Sequence, residues 1–318
     1  MSIALTAERR RQPLSSEHLA RLRDAVDPRA TGVTARALMG GIDTATYALR
    51  LERDDNAREL VVRVYRDWEG DAGAAVRRLH EVLVAVAAVS TLAPRPILAD
   101  AGGELIGEPL IVMSFLPGAP QAPTGQDDAW AEQLALAMVD FHAAPLERLA
   151  QGFPREGTPT ERLARILERH PDARDPLWDT IVSRLTPIAP RIQLNPPVLI
   201  HSDFWFGNTI WQEGRLTGVI DWDGARIGDP ARDVAGARND LALLGGAHVA
   251  EVFLARYENA RGPLRDLAFW DLLSSLPPLR WLPHWVEGYT ELGVDLSLDE
   301  ARARLESWVE SALDRLER

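Results

Sequence analysis

The sequence predicts an α+β chain whose strands gather in the N-terminal third and whose helices fill most of the remainder. Three observations carry that prediction. Between Arg36 and Phe115, apolar runs bounded by turn residues recur around a single helical stretch and add up to five strands. From Asp127 onward the apolar residues mostly recur at helical spacing. Set into that helical part is one short passage, Val198-Leu199-Ile200 to Val219-Ile220, in which two apolar runs each lead into acids. Such runs read as short buried strands, and the acids at their ends fall where a rigid scaffold hands over to a loop.

In chain order, Ser16-Glu17 with Leu19, Leu22 and Val26 reads as a capped amphipathic helix ending before Asp27-Pro28. Arg36 to Gly41 and Thr44 to Leu51 read as strand, turn and strand, with Tyr47, Leu49 and Leu51 on one face and Thr46 and Arg50 on the other. Leu60 to Tyr65 is a third strand, and Asp71 to Ser90 is a helix rich in Ala and Val. Ile97 to Asp100, a Gly102-Gly103 turn and Leu110 to Phe115 supply two more strands. The Pro-rich stretch Leu116 to Pro123 is the clearest linker, which divides the chain into 1–116 and 117–318. Beyond it, Trp130, Leu134, Met138 and Phe141 mark a core helix over Asp127 to Ala144, and further helices are expected at Thr160 to His170 and Leu177 to Ile188. Asp229-Pro230 looks like a helix start, Asp as cap and Pro in the first position. From Ala250 on the chain reads as helical, and the aromatic segment from Phe269 to Tyr289 suits either core or, at Trp281 and Trp285, a pocket wall.

The acidic passage runs His201-Ser202-Asp203-Phe204-Trp205-Phe206-Gly207-Asn208, then Thr209 to Gly218, then Val219-Ile220-Asp221-Trp222-Asp223. A Gly-containing turn at Glu213-Gly214 between apolar runs predicts a β-hairpin, which sets Asn208 roughly opposite Asp221. An amide oxygen and a carboxylate side by side, with Asp203 near, suit Mg²⁺, which takes few protein oxygens and fills its shell with water and phosphate.

His-x-Asp-x-x-x-x-Asn followed by an apolar strand ending in Asp resembles the catalytic core of the aminoglycoside phosphotransferase and choline kinase group, small-molecule relatives of protein kinases. The resemblance spans roughly Leu38 to Tyr257 and is specific only between Leu199 and Asp233. Neither Asp-Phe-Gly nor Ala-Pro-Glu follows, so a protein kinase is disfavoured. The resemblance implies a bilobal protein-kinase-like fold: an N-terminal nucleotide-binding lobe with a five-stranded antiparallel sheet and a helix, and a mainly helical C-terminal lobe carrying a catalytic hairpin. It implies phosphoryl transfer from ATP or GTP, with Mg²⁺, to a small hydroxylated acceptor. Asp203 would be the catalytic base, Asn208 and Asp221 the metal ligands, and Asp233 a brace for the loop. His201 would hold the loop by hydrogen bonding. Gly40-Gly41 would approach the phosphates, Arg63 would stand where the family has a strand lysine, and Glu81 would be its partner. Backbone groups near Met113, Ser114 and Phe115 would meet the purine edge.

Two residues depart from that pattern, Arg63 for Lys and Ser202 for the common Gly, and they motivate the alternative of a nucleotide-binding regulatory pseudokinase without turnover. Plainer readings stand beside the assigned ones. Gly40-Gly41 fits an ordinary hairpin turn, Arg63 a solvent-facing position on an edge strand, and Glu81 a surface pair with Arg77.

A net charge of -12 and a pI near 5.1 argue against nucleic acid as partner. The chain has no Cys, so nothing points to an oxidising compartment, and no Lys, which excludes Schiff-base or P-loop lysine chemistry. The apolar run Val82 to Val89 is too short for a membrane span, and Met1 to Leu5 ahead of Arg9-Arg10-Arg11 reverses the order of a signal peptide. A cytoplasmic enzyme is therefore expected, with no protein partner legible.

Overall fold

The computed structural model describes residues 12–38, 44–53, 56–66, 68–122 and 128–317. The chain divides into two compact units, Met1–Leu116 and Pro117–Arg318.

The first unit begins with α1 (Ser16–Val26), capped by Ser15, whose Oγ accepts from His18 N at 3.1 Å. Five strands follow: β1 (Gly32–Ala37), β2 (Ala45–Arg53), β3 (Asn56–Val64), β4 (Pro96–Asp100) and β5 (Leu110–Ser114). They form one antiparallel sheet in the order β1-β2-β3-β5-β4. The predicted alternation on β2 is what places Tyr47, Leu49 and Leu51 in a core with Leu60, Val62 and Val64 of β3 and Leu22 of α1. Between β3 and β4 runs α2 (Ala72–Val86), capped by Asp71 and burying Val76, Leu79, Leu83 and Val86 along one stripe. Because β3 lies between β2 and β5, Arg63 stands on an interior strand, opposite Thr46 and Ile111, rather than on an edge.

The second unit carries helices α3 (Asp128–His142), α4 (Pro159–Arg169), α5 (Pro176–Leu185), α6 (Pro230–Gly245), α7 (Ala247–Arg261), α8 (Leu267–Glu291) and α9 (Leu298–Leu316). Two short antiparallel pairs are set among them: β6 (Val198–Ile200) with β9 (Arg226–Gly228), and β7 (Thr209–Gln212) with β8 (Arg215–Val219). Asp229 does cap α6: its Oδ1 accepts from Ala231 N at 2.9 Å, while the carboxylate also holds the Asn195 amides. α8 contains Pro277, Pro278 and Pro283 and leaves helical geometry at Trp281 (φ -121°, ψ 19°), where the missing N–H and the ring of Pro283 disturb the ladder. Trp281 itself is 46% exposed. Among the described residues no helix is long and apolar enough to cross a membrane.

The β7–β8 hairpin closes at Glu213-Gly214, both with positive φ (52° and 74°), as a two-residue turn of the I′ kind requires. A bulge between Ile210 and Trp211 shifts the register beyond it. Thr209 therefore pairs with Val219, and Ile220 N donates to Asn208 O at 2.9 Å. Asn208 faces Ile220, one residue short of the predicted Asp221.

Candidate active site

The loop after β6 is held from below by one carboxylate. Asp233, in the first turn of α6 and buried, accepts from His201 N at 2.5 Å and Ser202 N at 2.9 Å. His142 at the end of α3 lies 3.4 Å from Asp233 Oδ2 through Nε2 and 2.8 Å from Tyr257 OH through Nδ1. Burial drives the His142 pKa down, so the ring is neutral: Nε2–H donates to Asp233 and Nδ1 accepts from Tyr257. Burial alone would raise Asp233, but the hydrogen bond from His142 and the charge of Arg232 outweigh it and hold Asp233 below the usual carboxylate range.

The two amides turned toward Asp233 impose a sharp bend, and Ser202 takes a left-handed conformation with φ 75°. His201, fully buried, receives Asp203 N at Nδ1 (3.3 Å) and donates from Nε2 to Ile220 O (2.9 Å). Its ring thus ties the loop to the end of β8. Asp203 is exposed at the wall of a cavity of about 460 Å³. The protein mass around its carboxyl pushes the pKa up and the Asp221 charge adds to the push, against the opposing effects of His201 and the Asn208 hydrogen bond.

Asn208 Nδ2 donates to Asp203 O at 2.9 Å and to Asp203 Oδ2 at 3.0 Å. The amide is thereby oriented, and its Oδ1 accepts no hydrogen bond among the described residues. Asp221, at the end of β8, sits at φ 65°, ψ 58°, a left-handed conformation that costs an L-residue energy and redirects its side chain out of the strand pattern. One amide oxygen and one aspartate fit the sparse protein donor set of Mg²⁺. No cluster of three or more His, Cys, Asp or Glu able to hold a metal exists among the described residues.

The same cavity is bordered by residues that the sequence pattern had not singled out. Asp240 lies on α6 seven residues beyond Asp233, two helical turns on and so on the same face, a periodicity that could have flagged it. Burial raises its pKa to about 7, while Tyr289 OH donates to it at 2.5 Å and Phe206 N at 3.4 Å. Arg162 and Arg232 also border the cavity. Trp285 lines it, as one reading of the aromatic segment suggested, whereas Trp281 does not.

In the first unit, Arg63 is half-buried and its Nε donates to Thr44 Oγ1 at 2.8 Å. It forms no ion pair with Glu81. Glu81, on the middle of α2, also lacks the Arg77 pair, since Arg77 lies 3.9 Å from Asp71. Among the described residues Glu81 thus pairs with neither arginine, and Arg63 Nε meets the Thr44 hydroxyl just ahead of β2. Met113 and Ser114 are the last residues of β5 and their main chain is committed to neighbours: Ser114 N donates to Arg95 O at 2.9 Å, and Met113 faces Val61 and Pro96. Phe115 lies just past the ladder. Gly40 and Gly41 fall outside the described residues.

Residues 34–271 match the sequence profile of the Phosphotransferase enzyme family, well over half of the chain. The chain belongs to that family. A curated relative of this phosphotransferase-family chain, the Mus musculus acyl-CoA dehydrogenase family member 10, is 26% identical over 215 residues, covering 61% of the chain and 19% of that protein. The chain therefore spans about a fifth of that relative's length. Among solved structures, macrolide 2′-phosphotransferase MphH from Brachybacterium faecium shares the fold at a TM-score of 0.60 with 20% identity, covering 88% of this chain and 92% of its own. An aminoglycoside phosphotransferase complexed with GDP and kanamycin follows at 0.59, 20% identity, 94% and 97%. A third, holding AMP-PNP and hygromycin B, gives 0.59, 17%, 93% and 99%. These likenesses bear out the protein-kinase-like α+β fold and the family that the acidic passage resembled.

Proposed function

We propose that this chain transfers the γ-phosphoryl group of ATP or GTP to a hydroxyl of a small molecule. The observation that carries the reading is the Asp203–Asn208 pair, a carboxylate at a cavity wall bonded to an amide whose oxygen accepts no hydrogen bond among the described residues. Asp203 orients the acceptor hydroxyl and takes its proton as the oxygen forms its bond to phosphorus. The bond from the γ-phosphorus to the β,γ-bridging oxygen breaks, and a nucleoside diphosphate and a phosphate monoester leave. Asn208 and Asp221 would hold Mg²⁺, whose charge offsets that of the phosphates. Asn208 also fixes Asp203 through its Nδ2, and His201 and Asp233 keep the loop in place. Arg63 supplies positive charge to the triphosphate from β3, without Glu81. Most of the acceleration in such a reaction comes from positioning and charge stabilisation. The nucleotides and antibiotics in the related structures support small-molecule phosphoryl transfer as the reaction class.

The test has two stages. Thermal-shift titration with ATP and GTP, with and without Mg²⁺, should show a shift that grows with Mg²⁺ and shrinks in Asp221→Ala. Diphosphate release should then fall by roughly a hundredfold or more in Asp203→Asn, the range expected for removing a general base, while nucleotide binding persists. Undiminished turnover in that variant would remove Asp203 from the mechanism. Nucleotide binding with no release for any acceptor would instead favour the pseudokinase.

A further inference from the structure

Three arginines converge on a single buried carboxylate beside the cavity. Arg162 Nε lies 3.5 Å from Glu156 Oε1, Arg232 Nε 3.6 Å from the same oxygen, and Arg226 Nη1 3.5 Å from Glu156 Oε2. Glu156 is 3% exposed, and the three guanidiniums are between 11% and 28% exposed. None of these contacts is a hydrogen bond: both Glu156 oxygens and Arg232 Nη1 are buried without a hydrogen-bond partner. The fold assembles the cluster from three segments. Glu156 is stitched to the edge of β9 by Glu156 N to Ile227 O (2.8 Å), and Arg226 stands on β9 opposite Ile200. Arg162 and Arg232 come from the first turns of α4 and α6.

The charge count is unbalanced. Three guanidiniums against one carboxylate leave two positive charges; Asp233, 3.9 Å from Arg232 Nη1, offsets one and is already committed to the His201 and Ser202 amides. Both helix N-termini add positive potential where a cation is least favoured, so the arginines sit there against the macrodipole. Burial and the neighbouring arginines depress Arg162 to about 10, the signature of a cation short of counter-charge. Arg232 Nη2 also reaches Ser202 O at 3.4 Å, so the cluster lies next to Asp203 along the loop.

Resting on the phosphotransferase reading, we propose that the acceptor is an anionic alcohol, whose carboxylate or phosphate is held by Arg162 and Arg232 while its hydroxyl meets Asp203. Two cavity arginines with spare donors form forked hydrogen bonds to planar or tetrahedral oxyanions, which a cationic amino alcohol would not accept. The volume of about 460 Å³ suits a compact molecule, and Trp270, Leu273 and Trp285 give its carbon skeleton an apolar wall. The transfer step is the one written above. Its product carries a second phosphorylated or anionic end, so an enzyme that consumes it must accept a doubly anionic compound.

Calorimetric titration of the full chain with matched panels tests this without turnover. One panel holds short hydroxycarboxylates, another hydroxyalkyl phosphates, and the controls are their methyl esters, neutral diols and amino alcohols. At least one anionic set should bind while its neutral counterparts do not, and the set that binds names the group. Arg162→Gln should weaken that binding by roughly tenfold or more, the worth of a charge-assisted hydrogen bond, with Arg162→Lys recovering part of it. The Lys variant keeps the cluster's charge and serves where Arg162→Gln lowers the melting temperature. Equal or tighter binding of amino alcohols, no anionic ligand at ~10 mM in a millimolar affinity window, or unchanged affinity in Arg162→Gln overturns the proposal. The Mg²⁺–ATP thermal shift, read separately, reports on nucleotide binding alone. Its loss with anion binding intact would retire the kinase reading and leave the anion site standing.

Discussion

Asp233→Asn isolates the brace beneath the loop that carries Asp203. The replacement has nearly the same shape, yet it turns one of two acceptor oxygens into a donor. In the native fold Oδ2 takes His201 N and Oδ1 takes Ser202 N. With an amide, one of these buried N–H groups faces an NH₂ and loses its partner. A hydrogen bond to a charged group contributes ~1.5–3 kcal/mol and an unsatisfied buried donor costs ~1–3 kcal/mol, so a loss of ~3 kcal/mol is expected. For a unit of roughly 200 residues unfolding with ~2.1 cal/mol/K per residue, that lowers the melting temperature by ~7 °C. The pH dependence supplies the sharper test. Asp233 has a depressed pKa, so its contribution is present above the ordinary value of 3.8 and disappears as pH falls through the lower folded value. Melting followed by circular dichroism should therefore show a gap between wild type and variant at pH 7 that narrows below pH 4. A variant within ~2 °C of wild type at pH 7, or a gap unchanged in acid, would refute the brace; the first limit is under a third of the shift worked out above.

Asp240 tests the opposite sign: its folded pKa of about 7 means that the folded chain holds a proton the unfolded chain has released, so wild-type stability falls between about pH 4 and 7. Asp240→Asn lacks that slope, and its stability relative to wild type should improve by up to ~4 kcal/mol across the window in urea titrations; parallel pH curves would contradict the assignment. Gly118 has φ 117°, and an added Cβ would lie 2.2 Å from Trp211 O, where Ala119 N and Trp211 N now exchange hydrogen bonds with each other's carbonyls. Gly118→Ala should cost ~2–4 kcal/mol of stability in thermal melts, and an unchanged melting temperature would remove the strain argument.

Local patterns made much of the fold legible. The period-two alternation at Tyr47, Leu49 and Leu51 and the cap at Asp229-Pro230 appear where the residues place them. The hairpin turn at Glu213-Gly214 was legible for the same reason, since few residues accept positive φ in succession. Its register was legible only roughly: a plain two-residue turn would set Asn208 opposite Val219, and the bulge between Ile210 and Trp211, which leaves no mark in the hydrophobic pattern, moves it to Ile220, next to the expected Asp221. Strand order is likewise silent in sequence, which is why an edge position stood beside the assigned role as the plainer reading of Arg63. Glu81 shows the limit for pairings: α2 was visible, but whether a side chain meets a strand cation depends on tertiary geometry, and Thr44 reaches Arg63 instead. The Glu156 cluster draws on residues near 156–162, 226 and 232, and no spacing rule joins three such segments.

His142, Tyr257 and Asp233 fix the loop from three helices, none of them adjacent to it in sequence. The bend that presents Asp203 is thus written in the scaffold as well as in the loop's own His201 and Asn208. Trp205, which borders the cavity, takes no side-chain part in those hydrogen bonds. Divergence can rewrite such a wall residue without disturbing the hydrogen bonds that hold the loop, so on the proposed reading one frame could serve many acceptors.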